Sequence, residues 1–232
     1  MANGMRTVEM PAMKIEIIDN RFIVAGTGQI GMGQRFCATV RDLWANKKLN
    51  GMDEFGYART LAKAGVEDFA FTQAKQGSYG ALVAFPCNKA KNSEHHLVEF
   101  AVTDFQPEFK TQNIWYVSMG SGQAVIDPFL CFMREIFWEK GPPSVKDGVF
   151  AATWLLDYAV TVNTGGVNGP VRIATLEKSA GDWKARLLSD EDLLEHRESQ
   201  KAAKDALRNF KDKIVAQATA QEIPAPPKTP AQ

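Results

Sequence analysis

The residues whose spacing most directly suggests chemistry are Gly26-Thr27-Gly28-Gln29-Ile30-Gly31, which satisfy G-x-G-x-x-G between a predicted strand and a predicted helix. Such a turn lets backbone N–H groups at a helix N-terminus close on a pyrophosphate. Dinucleotide binding also needs a following strand that ends in an acidic residue for the ribose. The segment from Ala45 to Glu54 is rich in Asn, Lys and Gly instead. A structural strand-to-helix turn is therefore the stronger reading, with a nucleotide-dependent enzyme using the Gly26–Gly31 turn kept as an alternative. His95-His96 is an adjacent pair in a predicted polar loop. Neighbouring extended residues point to opposite sides, so the two are poorly placed to share a metal. Asp53, Glu54, Glu67 and Asp68 fall at helix starts or on outward faces, where charge is simply solvated. The aromatic residues Trp115, Tyr116, Phe129, Phe132, Phe137, Trp138 and Trp154 have the spacing of inward packing. No reading of these residues calls for a cofactor or a metal.

The elements that would position such residues follow from periodicity. Lys14 to Ala25 is rich in Ile, Val and Phe and is interrupted by Asp19-Asn20, the pattern of a hairpin. Phe36, Val40, Leu43 and Trp44 recur at helical spacing, and a second stretch runs from Phe55 through Leu61 to Phe71. Ala81–Phe85, Leu97–Val102 and Ile114–Ser118 read as three antiparallel strands. Gly120-Ser121-Gly122 breaks the sheet, and Val125 to Trp138 carries a broad apolar stripe with Pro128 near its start. Gly141-Pro142-Pro143 ends that helix, and Ser144 with Asp147 forms an N-terminal capping pair for the next. Val167 to Leu176 returns as a strand, kinked at Gly169-Pro170. Two helix pairs separated by antiparallel strands predict an α+β fold, a four-layer αββα sandwich.

Residues 1–185 are expected to form that domain, 189–221 a charged C-terminal helix capped by Ser189 and Asp190, and 222–232 a disordered Pro/Ala-rich tail. Lys plus Arg and Asp plus Glu both number 27 in the 232 residues, so net charge favours neither nucleic acid nor an anionic membrane. The odd cysteine count, with Cys37, Cys87 and Cys131 among apolar neighbours, reads as buried thiols in a reducing cytoplasm. No apolar run is long enough to span a bilayer. A soluble, cytoplasmic protein is the expectation.

Three stretches carry a family resemblance covering about Met10 to Glu177: Lys14-Ile15-Glu16-Ile17-Ile18-Asp19-Asn20 followed by Val24-Ala25-Gly26, then Val117-Ser118-Met119-Gly120-Ser121-Gly122, then Asn163-Thr164-Gly165-Gly166. In order and separation they resemble the β-type subunits of the proteasome and the related peptidase subunit of the bacterial two-component heat-shock protease. These are N-terminal-nucleophile hydrolases. The resemblance implies a threonine-type peptidase family in which an N-terminal Thr attacks and its own α-amine accepts the proton. It implies that Lys14 stabilises charge beside that nucleophile, and that Gly26 supplies an oxyanion N–H. It implies further that Ser121 stands near the terminal amine and that Thr164 is the hydroxyl of the late turn.

The departures bear on activity. Two strands carrying the nucleophile and a supporting Asp precede the hairpin lysine in the family, whereas thirteen residues precede Lys14 here. Thr161 stands where the family has an acid, and Thr7 lies too near Lys14 to be aimed at it by intervening strands. The expected function is a proteasome-β-like subunit of a self-assembling ring or multi-chain complex, non-catalytic or incomplete as it stands. The alternative is a peptidase subunit whose nucleophile lies upstream of Met1 or on another chain. Expected partners are further copies or related β-type subunits, with an ATPase as a possible additional partner.

Overall fold

A computed structural model describes residues 13–74, 77–89, 92–111, 113–162 and 166–221. Five strands form one antiparallel sheet in sequence order: β1 (Ile15–Ile18), β2 (Phe22–Gly28), β3 (Tyr79–Lys89), β4 (Asn92–Phe100) and β5 (Pro107–Lys110). The β1–β2 connection places Asp19 and Asn20 at φ 49° and 52°, a left-handed conformation that Asp and Asn adopt more readily than most side chains. β2 pairs antiparallel with both neighbours. That pairing removes the nucleotide-binding reading of Gly26–Gly31, because a βαβ unit needs parallel strands joined by the intervening helix.

Helices α1 (Ile30–Ala45) and α2 (Glu54–Phe71) pack on this sheet. α1 presents Met32, Phe36, Cys37 and Val40 to the interior at three- and four-residue spacing. α2 starts where Asp53 accepts a hydrogen bond from the Gly56 N–H at 2.8 Å, so this carboxylate is a helix cap. Phe22, Phe36, Phe85 and Phe100 have no solvent exposure, and burial of each such side chain stabilises the fold by about 1.5–3 kcal/mol. Phe105 meets Phe36 edge-on at 5.0 Å, and both rings lie against Gly65, where an added Cβ would fall 2.7 Å from Phe105. Glycine at this helix position lets the two rings close on the backbone.

The second half of the chain contains α3 (Gln123–Phe137), α4 (Val145–Val162), the hairpin β6 (Ala174–Ser179) and β7 (Asp182–Leu187), and α5 (Asp190–Gln221). The β6–β7 turn has Ala180 and Gly181 at φ 52° and 88°, the two-residue loop that matches strand twist. This hairpin docks on the β1–β2 turn: the Ala185 N–H donates to the Asn20 carbonyl at 2.7 Å, and Arg21 pairs with Asp182 at 3.2 Å. Ser144 caps α4, accepting from the Asp147 N–H at 3.2 Å while its hydroxyl donates to the Asp147 carboxylate at 2.7 Å. At the start of α5 the capping partner of Ser189 is Asp192, which accepts the Ser189 N–H at 2.8 Å. The chain is thus a mixed α+β fold with antiparallel sheets.

Several local expectations are corrected. The segment 114–118 is irregular, and the strand beside β4 is β5, which ends four residues before Ile114. The late strand begins at Ala174, not Val167, and its partner β7 was not foreseen. Its sequence, Asp182-Trp183-Lys184-Ala185-Arg186-Leu187, alternates polar and apolar residues throughout, so the strand signal was present in the sequence. His95 and His96 lie on β4, not in a loop; the His95 ring meets Trp183 at 4.8 Å, tilted by 47°, and His96 packs beside Phe85 and Phe109. Pro128 sits in the second turn of α3, beyond the first turn where its missing N–H is free of consequence. Cys37 and Cys87 are buried, but Cys131 is exposed. Phe132 and Phe137 are about half exposed (50% and 49%), so those two rings are not core. Residues 222–232, expected as a disordered tail, lie outside the described residues. No helix among the described residues is long and apolar enough to cross a membrane.

Candidate functional site

The site begins at the open end of the β1–β2 ladder. Lys14 immediately precedes β1, is exposed, and its carbonyl accepts the Gly26 N–H at 2.9 Å. An oxyanion would therefore compete for the Gly26 N–H with a ladder hydrogen bond. Gly26 has a second, steric reason to be glycine, because a Cβ there would fall 2.5 Å from the Tyr79 hydroxyl oxygen. The same ring restricts Gly33 on α1, at 3.1 Å, so Tyr79 fills the space between strand and helix.

Gly28 is at φ +100°, and an added Cβ would lie 2.1 Å from the Ser78 carbonyl oxygen. That carbonyl accepts the Gln29 N–H at 2.9 Å. The glycine-rich turn is thus pinned to the start of β3 by backbone contact. Around it lies a cleft of about 50 Å³, lined by Met13, Lys14, Gly26, Thr27, Gln29 and Tyr79 among others. Sites for drug-sized ligands span about 300–1,000 Å³, so this cleft has no room for a dinucleotide.

Two further loops close on this end of β2. Gly120, at φ +93°, has Thr27 Oγ1 2.8 Å from where its Cβ would be. The turn that opens α3 can therefore approach β2 only with glycine at this position. Next to it, Ser121 donates its hydroxyl to the Gly166 carbonyl at 3.2 Å. Gly122 packs against Val167, 3.4 Å from its would-be Cβ. The three stretches that are far apart in sequence thus meet at one place. Thr164 lies outside the described residues, as does Thr7, and Gly166 is the described residue nearest Thr164 on its C-terminal side. Thr161 sits on the last turn of α4, where its hydroxyl donates to the Asp157 carbonyl at 2.8 Å.

The electrostatics below the cleft disfavour a thiol nucleophile. Burial, reinforced by the charge and hydrogen bond of Glu16, pushes the Cys37 thiol up to about 12, against a smaller lowering by Arg41. A neutral thiol is a poor nucleophile and a poor metal ligand. Burial likewise raises the Tyr79 phenol, with smaller contributions from Cys37 and Glu16, so its hydroxyl stays protonated. Glu16 is paired with Arg41. Among the described residues no group of three or more His, Cys, Asp or Glu could hold a metal ion.

Three contributors were missed by sequence reasoning. Tyr79 explains both glycines. Ser118 donates to the Asp127 carboxylate, tying the residues before the Gly120 turn to α3; an Asp set in the apolar stretch from Ala124 to Met133 was the available signal. Arg172 reaches the sulfur of Met13, the residue before Lys14. No local signal marked Arg172, because its approach to Met13 depends on how the two halves meet.

No protein-family model and no curated protein sequence matches the chain. Solved structures do. A Gly-1 mutant of Anbu from Hyphomicrobium sp. strain MC1 superposes with a TM-score of 0.61 at 14% identity, over 92% of this chain and 86% of that one. Anbu from the same strain gives 0.62 at 14% identity, over 87% and 84% of the two chains. Anbu, the ancestral β-subunit, from Yersinia bercovieri gives 0.56 at 10% identity, over 93% and 87%. At these identities the likeness is one of fold. It corrects the resemblance to proteasome β-type and heat-shock-protease peptidase subunits, because the matched structures are Anbu proteins. The physical reason lies in the motifs themselves. Gly26 and Gly120 are required by close backbone packing, so they report the architecture and cannot distinguish families that share it.

Proposed function

We propose that this chain is a subunit of a self-assembling, proteasome-like complex of the ancestral-β-subunit kind, built as an αββα sandwich in which β6 and β7 contribute to the second sheet. Residues 1–185 form its body and 189–221 a helical extension. What supports the reading is the meeting of the Lys14–Gly26 ladder, the Gly120–Ser121 turn and Gly166 at one end of β2, within a fold shared with proteins named as β-subunits. In this reading the subunit is non-catalytic: Thr161, where the resembled family has an acid, offers no carboxylate and donates its hydroxyl to the Asp157 carbonyl. Native mass spectrometry of the full chain tests the proposal. A discrete oligomer is the expected result, and monomer alone at all working concentrations overturns it.

A second reading is favoured by Lys14, a cation lining the cleft, which suits a transient anion. In it the site is a threonine-type peptidase completed by a nucleophile from upstream of Met1 or from another chain. An electrophile that forms a ring with both hydroxyl and α-amine would add its mass to the assembled protein if this holds. An unmodified protein, with no cleavage of fluorogenic peptides, leaves the non-catalytic reading in place.

A further inference from the structure

α3 exposes a thiol, Cys131, and the irregular segment before the Gly120 turn brings a phenol to it: Tyr116 Oη lies 3.2 Å from Cys131 Sγ. One helical turn further on, Arg134 donates to the same phenol oxygen. An oxygen that accepts from a guanidinium turns its own proton the other way, here towards sulfur. A thiolate formed at Cys131 therefore meets an O–H donor, with a cation just beyond it. Cys37 and Cys87, by contrast, are buried.

The thiol opens into a cavity of about 250 Å³, separate from the cleft at Gly26, whose other walls are Tyr116, Arg134, Glu135 and Glu139. Drug-sized ligands occupy about 300–1,000 Å³, so this space suits a group the size of one or two amino acids. Its walls carry both signs of charge. The Arg134 guanidinium complements a carboxylate, and Glu135 with Glu139, which follows the end of α3, complements an ammonium. The small frame that carries both of those charges is an α-amino acid. The form of it that can also bond to a thiolate is an amino-acid disulfide.

We propose that Cys131 is a thiol–disulfide exchange site for small amino-acid disulfides of the cystine type. Arg134 holds the carboxylate of the half that is retained, and Glu135 and Glu139 hold its ammonium. Cys131 Sγ, as the thiolate, attacks the nearer sulfur of the disulfide. A bond from Sγ to that sulfur forms as the old S–S bond breaks, and the other half leaves as a thiolate that takes up the proton Cys131 released. One disulfide replaces another, so the disulfide itself is the oxidant. The site goes beyond the subunit reading and does not depend on it.

The test exposes the full chain at pH 8 to cystine or to the uncharged bis(2-hydroxyethyl) disulfide, and follows the adduct by intact mass with the modified peptide located by fragmentation. N-acetylcysteine supplies the intrinsic ratio of the two reaction rates. The adduct is expected on Cys131, with cystine favoured roughly tenfold more than it is by N-acetylcysteine, the size of one charge-assisted hydrogen bond. Arg134→Gln should abolish that preference and Arg134→Lys retain part of it. Tyr116→Phe should slow both reagents and leave their ratio alone. A ratio equal to that of N-acetylcysteine, a ratio unchanged by Arg134→Gln, or an unreactive Cys131 overturns the proposal and leaves at most an exposed thiol. If Arg134→Gln alters the urea melt, Glu135→Gln/Glu139→Gln decides instead: a reduced ratio supports the site, and an unchanged one overturns it.

Discussion

α1 and α3 carry comparable apolar stripes, yet α1 buries Met32, Phe36, Cys37 and Val40 whereas α3 buries only Met133. The two helices differ in what faces them. α1 lies on a five-stranded sheet and beside α2, so its stripe is enclosed by aromatic rings from β3, β4 and Phe105. α3 rests on α4 along one side, and its remaining apolar residues, Phe132, Ile136 and Phe137, stay about half exposed. Amphipathicity therefore specifies a surface that needs a partner, without specifying whether that partner lies in the same chain.

The widest separation between the two regions is expected in paired truncations. Phe36→Ala removes a ring with no exposure and should cost about 3–5 kcal/mol in urea unfolding. Phe132→Ala should stay within about 0.5 kcal/mol for the isolated protomer. Equal losses at the two positions would mean that α3 is as enclosed as α1. A smaller effect, about 1–3 kcal/mol, is expected for Gly26→Ala, since its methyl would run into the Tyr79 ring. Combined with Tyr79→Val it should lose less than the two singles together, and strict additivity would exclude steric contact as the cause.

Thiol labelling sets the regions apart without a change in stability. At pH 8 Cys131 should react with a water-soluble disulfide reagent while Cys37, held up to about 12, and buried Cys87 stay silent until denaturant is added. Rapid labelling of Cys37 in the folded protein would contradict its enclosure. The smallest expected effect is at His96, whose titration is lowered by burial against the raising influence of Glu54 and Glu94, with His95 lowering it further. The unfolded chain takes up this proton first, so stability is full above the ordinary value of 6.5 and declines as pH falls through it. His96→Gln should flatten that slope in melts between pH 7.5 and 5.5, and an unchanged slope would assign it to other groups.

Much of the candidate site was legible through short motifs, but the reasons for its residues were not. Gly26 and Gly120 stood out as glycines at strand ends, whereas the side chains that make them necessary, Tyr79 and Thr27, come from other parts of the sheet. Arg172 reaches Met13 only because the segment before β6 is carried to the residues that precede β1.

Element type and many boundaries came from local signals, because a cap or a turn is a contact between residues three or four apart. Asp53 before α2, Ser144 with Asp147 before α4, and Asp19-Asn20 between β1 and β2 are contacts of this kind. Burial, partner and register are instead settled by contacts between distant residues. The docking of β6–β7 on the β1–β2 turn, the exposure of Cys131 and the closure of the Gly120 turn on Thr27 belong to that second class. Their free energy exists only once the chain has folded back on itself, so no window of neighbouring residues contains it.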